Sequence, residues 1–143
     1  MKRISRKKVA DAGANIPPVL RGLFRSFAKL AERAAEDRPL LRGLRVAYDS
    51  IAERFVVAHA GSYVEFVLAI PKDCLPPLGE IECRRMASAG TRDESTIARF
   101  RFDEGGILTE STVPEFAGQN IDLAATVWSV VAAVLWINLH AQL

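Results

Sequence analysis

The sequence predicts one α+β domain: an N-terminal α-helical hairpin, a small antiparallel β-meander of about four strands, and a long buried C-terminal helix. Three observations carry that expectation. Apolar residues recur at spacings of three and four as far as Phe55, the period then drops to two, and the segment from Leu123 to Leu143 holds no Asp, Glu, Lys or Arg.

Residues 1–14 read as a flexible basic arm, and 15–143 as a single folded unit. The arm carries Lys2, Arg3, Arg6, Lys7 and Lys8 but no apolar run of the roughly 7–15 residues a secretory signal needs. Asn15 before "IPP" signals a helix start, since Asn caps and proline tolerates the first turn. Val19, Leu20, Leu23, Phe24, Phe27, Leu30, Ala31 and Ala34 then form the apolar face of a helix over 17–36. Asp37 and Pro39 restart the pattern, and Leu40, Leu41, Leu44, Tyr48, Ile51 and Phe55 suggest a second helix packed back on the first.

In "SYVEFVLAI", Val64, Phe66, Leu68 and Ile70 alternate with Tyr63, Glu65, Val67 and Ala69, which predicts a strand, with "FVVAHA" as its hairpin partner. The proline-rich "PKDCLPPLG" ends that strand. "GEIECRRMAS", "STIARFRF" and "GILTESTV" read as three more short strands. Opposite charges suggest their register: Glu82 against Arg99, Glu80 against Arg101, and consequently Ile81 against Phe100 and Cys83 against Ala98. A two-residue turn at Glu104-Gly105 would close the next hairpin at Asp103–Gly106, placing Arg99 opposite Glu110 and Phe102 opposite Ile107. Asn120 or Asp122 is the expected cap of the last helix, over 121–140.

That helix has two readings. The 21 residues from Leu123 to Leu143 would span roughly 31 Å as a helix, enough for a bilayer core, so the segment could be a tail anchor. Against this, Asn138, His140 and Gln142 fall inside the span and no Lys or Arg flanks it. Trp128 and Trp136 stand only about 12 Å apart along a helix, too close to mark two interfaces. The favoured reading makes it the cover of the sheet, with Ala125, Ser129, Ala133 and Trp136 as a partner-helix interface.

Charge is unevenly spread. Residues 1–54 hold thirteen Lys/Arg against six Asp/Glu, 55–101 hold six of each, and 102–143 hold five acids and no base. Arg21, Arg25, Lys29 and Arg33 recur at i+4 in one line along the first helix, and with Lys7 and Lys8 they form a candidate surface for an anionic partner, lipid or nucleic acid. No recognition-helix turn, aromatic RNA-binding motif or zinc finger accompanies them, so sequence-specific DNA reading is not expected.

Catalytic signatures are missing. No phosphate loop or Gly-x-Ser-x-Gly elbow occurs, and Cys74, Cys83, His59 and His140 have no zinc-ligand spacing, so no metal or cofactor is expected. Glu82, Arg99, Arg101 and Glu110 resemble an acid–base cluster, but the expected register makes them a charge ladder. His59, near Glu65 or Asp73, is the one residue on which a small enzyme could be built. The expectation is a non-enzymatic, self-associating binding or adaptor protein of the cytoplasm, a homo-oligomer or bound to a protein partner. The alternative is a peripheral or tail-anchored protein on the inner face of a membrane, using helix 17–36 or helix 121–140.

Overall fold

The computed structural model describes residues 16–37, 43–49, 51–72, 74–88 and 91–141. Within them the fold is α+β, with two α-helices on one face of a six-stranded antiparallel sheet. Helix α1 is Pro18–Asp37. Strands β1 (Arg45–Asp49), β2 (Arg54–His59), β3 (Ser62–Ala69), β4 (Gly79–Ser88), β5 (Thr91–Phe102) and β6 (Leu108–Ser111) follow, each paired with the next in chain order. A 3₁₀ turn, Pro114–Phe116, leads to helix α2, Ala124–Ala141. The arm, Asn15, Leu40 and Leu41 lie outside the described residues.

The expected second helix of the hairpin is instead the β1–β2 hairpin. Leu44 and Tyr48 are four apart, a spacing that suits a helix face and equally one side of a strand. The side chains decide for the strand: Leu44 is buried and Val46 and Tyr48 half-buried, while Arg45 is exposed between them. Ile51, counted in the helical stripe, is 96% exposed at the turn. Asp49 makes that turn, its Oδ1 accepting from the N–H groups of Ile51 and Ala52. Glu53 closes it at φ 47°, a left-handed conformation that ends any helical continuation.

Strands β2 and β3 pair as expected, joined by Ala60 (φ 51°) and Gly61 (φ 80°), the two positive φ values of a type I′ turn. The β4–β5 register is the expected one, with Glu80↔Arg101, Ile81↔Phe100, Glu82↔Arg99 and Cys83↔Ala98. The β5–β6 register is not. Arg101, rather than Arg99, pairs with Glu110, and Phe102 meets Leu108 rather than Ile107. The loop holds one residue more than expected, because Asp103 N–H bonds Ile107 C=O and Gly106 sits at φ 85°. Asp103 Oδ1 accepts from the N–H groups of Gly105 and Ile107, so the turn is a three-residue loop with a glycine bulge.

Phe55, Val57, Val64, Phe66, Ile81, Cys83, Phe100 and Phe102 line the covered face of the sheet. Phe55 and Phe66 stack at 4.7 Å, and Phe24 and Phe27 of α1 lie 5.6 and 5.7 Å from Phe55. Truncating one such ring to alanine costs about 3–5 kcal/mol, so this cluster is the centre of stability. Val127, Val130, Val131 and Val134 bring α2 onto the same layer. Helix α2 starts later than expected. Asn120 Oδ1 accepts from Asp122 N–H, and Ile121 N–H bonds Gly106 C=O, so 120–121 continue beside β6 instead of entering the helix. Both helices begin at the end of the sheet holding the β1–β2 and β5–β6 turns, as the contacts of Arg25 with Glu53 and Asn120 with Gly105 require.

Candidate functional site

The basic line on α1 is partly consumed within the molecule. Glu53, 6% exposed, accepts on Oε1 from Arg25 Nη2 at 2.9 Å and on Oε2 from the Tyr48 hydroxyl at 3.1 Å, and forms an ion pair with Arg21, whose Nε lies 3.1 Å from Oε1. The hydrogen bond to Glu53 raises the Arg25 pKa, with the carboxylate's charge adding to it. Burial, then the charge of Glu53, raises that of Tyr48. Lys29 and Arg33 are exposed further along the helix, and Lys7 and Lys8 lie outside the described residues.

The uncovered face of the sheet carries a lattice of opposite charges. Glu82 takes Arg84 at 3.1 Å, the Thr96 hydroxyl at 2.6 Å and Arg99 at 3.9 Å, and the Arg84 hydrogen bond holds its carboxyl below the usual range. Arg101 bridges Glu80 at 3.1 Å and Glu110 at 3.7 Å. Glu65 is fully buried on this face and pairs with Arg54. These contacts give the suspected acid–base cluster an ordinary structural role in holding strands in register.

His59 ends β2 on the helix-covered face, since Phe55 and Val57 precede it at period two. Glu65, opposite Val56, belongs to the other face and cannot serve His59, while Asp73 lies outside the described residues. His59 instead lines an apolar groove of about 250 Å³ with Ala60, Ser62, Ala132, Leu135, Trp136 and Leu139. Trp136 is 61% and Leu139 53% exposed there. The Trp136 ring stacks on His140 at 3.7 Å, and His140 Nδ1 lies 2.9 Å from Trp136 C=O. Of the other expected interface residues, Ala125 is exposed and Ser129 and Ala133 are half-buried.

Asn138 is a neighbour of this groove that sequence reasoning missed. It is fully buried and accepts from Arg85 Nε at 3.0 Å, tying the end of α2 to β4. Its signal was present, because Asn138 continues the buried stripe of Val127, Val131 and Val134 at helical spacing.

Among the described residues no group of three His, Cys, Asp or Glu side chains could hold a metal ion, and no helix is long and apolar enough to cross a membrane. No family model, no curated protein and no solved structure matches the chain.

Proposed function

We propose that this chain is a non-enzymatic, self-associating binding protein of the adaptor kind, which seats an apolar segment of a partner protein in the groove beside Trp136. The exposure of Trp136 and Leu139 along that groove carries the reading. Exposed aromatic anchors beside a preformed apolar cleft are what protein partners bury, and tryptophan is among the residues richest in binding energy. Helix α2 has no Asp, Glu, Lys or Arg between Ala124 and Ala141, so an apolar partner need strip no such ion of water to lie along it. Lys29 and Arg33, with Lys7 and Lys8 of the arm, favour a partner bearing acidic groups outside the apolar contact. A photo-crosslinking residue in place of Ala132 tests this in cells. A covalent adduct to a second protein is expected from that position, with none from the exposed Thr109 on β6; adduct-free protein at Ala132 contradicts it.

A second reading has its own observation. Val19, Ile51, Leu75 and Leu123 are 51%, 96%, 94% and 57% exposed, on connections or helix starts at the end of the sheet where α1 begins. Apolar tips in a chain that also carries a polybasic segment suit peripheral attachment to an anionic membrane. Co-sedimentation with phosphatidylserine vesicles that Ile51→Asp and Leu75→Asp abolish would favour it; no sedimentation at about 50 mM salt would remove it.

A further inference from the structure

Strand β1 is an edge. Its inner side pairs with β2 along its whole length, and among the described residues nothing pairs with its outer side. The direction of its free backbone groups follows from the ladder. Leu68 N–H bonds Glu53 C=O at 3.0 Å, so odd-numbered residues of β2 bond β3, and even-numbered Arg54, Val56 and Ala58 bond β1. Their partners Asp49, Ala47 and Arg45 therefore turn N–H and C=O inward, and Val46 and Tyr48 turn theirs outward.

An added antiparallel strand must meet Val46 and Tyr48, and a second β1 does so in one register that uses both. Val46 of each copy lies opposite Tyr48 of the other, with a two-fold axis through Ala47. That register also brings Arg45 of each copy opposite Asp49 of the other at both ends. Sliding by two residues loses one bonded pair and places Arg45 or Asp49 opposite Ala47. Arg45 is exposed and has no ion pair of its own among the described residues, while the Asp49 carboxylate, with Arg54 Nε at 3.8 Å, is still 46% exposed. Edge strands that must stay single repel their like with charges of one sign. Here the charges are opposite and equally spaced from Ala47, so the strand attracts its own copy.

We infer that two copies of this chain associate edge to edge through β1, joining their six-stranded sheets into one. The inference rests on the reading of the protein as self-associating and names the surface. Val46 and Tyr48 of the two copies come together on the helix-covered side, and Arg45 and Asp49 on the open side.

Sedimentation equilibrium tests it. The wild-type chain is expected as a dimer, and Arg45→Asp, which sets two aspartates opposite each other at both ends, weakens it by about tenfold or more. Asp49→Arg does the same by pairing arginines. An equimolar mixture of the two variants recovers the dimer. In the mixed pair the introduced aspartate faces the introduced arginine at one end, and the native arginine and aspartate face each other at the other. Since Asp49 also forms the β1–β2 turn, Ala47→Cys in a Cys74→Ser background supplies an independent readout. Ala47 faces its own copy across the axis, where cross-strand Cα atoms stand about 4.5 Å apart, so oxidation yields a covalent dimer. A wild-type monomer up to about 100 µM, weaker than typical specific association, overturns self-association altogether. A dimer indifferent to Arg45→Asp, with Ala47→Cys uncrosslinked, keeps self-association and overturns the β1 interface.

Discussion

Arg25 on α1 donates to Glu53 at 2.9 Å, and Glu53 holds this position in a left-handed conformation, at φ 47°. One carboxylate thus ties the helix to the β1–β2 turn while its own backbone is strained. Glu53→Ala removes the acceptor from Arg25 and Tyr48 and the counter-charge from Arg21 and keeps the strain, so it is expected to cost about 1–3 kcal/mol. Glu53→Gly loses the same acceptor but adopts positive φ freely, and should be about 1 kcal/mol more stable than Glu53→Ala. Urea denaturation of the two variants measures the difference; equal midpoints would deny the strain.

Glu82 titrates below its ordinary 4.5, chiefly through the Arg84 hydrogen bond. A depressed carboxyl stabilises the fold above its unfolded pKa, and that stability is lost as pH falls through the folded value. Glu82→Gln should therefore flatten the decline in stability below about pH 4.5. Denaturation midpoints between about pH 6 and the acid limb record it, and an unchanged slope would assign the decline to other carboxyls.

A Cβ on Gly79 would overlap the Phe102 ring, directly across the strand pair. Gly79→Ala is expected to destabilise the fold by about 1–3 kcal/mol through overpacking. Combining it with Phe102→Leu should recover part of that loss, a coupling that a double-mutant cycle of thermal unfolding detects. Strictly additive losses would place the two side chains out of contact.

Cys83 is fully buried, and burial, with the nearby Glu82 charge, pushes its thiol well above the usual range. Cys74 is half-buried in the β3–β4 connection. A thiol reagent at about pH 8 should modify Cys74 quickly in the native protein and Cys83 only on unfolding. Two fast thiols would mean that β4 opens readily.

The middle of the fold was legible because two independent patterns agreed there. Val64, Phe66 and Leu68 recur at period two within β3, as do Ile81 and Cys83 in β4 and Phe100 and Phe102 in β5, and Glu80, Glu82, Arg99 and Arg101 complement one another in the same register. Strand β1 was hidden because Leu44 and Tyr48 satisfy both periods, and what decides between them is the Asp49 turn and the exposure of Ile51. The β5–β6 slip turned on two adjacent glycines, which permit two loop closures; Asp103 selects the longer through its bonds to Gly105 and Ile107. At the surface, the line of Arg21, Arg25, Lys29 and Arg33 could be read from spacing alone. That Glu53 takes two of them could not, since it lies 28 positions from Arg25. Trp136 stood out in sequence, but its groove needs Ala60 and Ser62 from the distant β2–β3 turn.

The most direct test of the binding surface is the affinity of the protein captured from position 132, measured by calorimetry against Trp136→Ala. The exposed Trp136 contributes little to the fold, so the variant should unfold within about 0.5 kcal/mol of wild type. Its dissociation constant should rise by about tenfold or more, as loss of an aromatic anchor demands. Equal affinities for the wild type and Trp136→Ala would contradict the account.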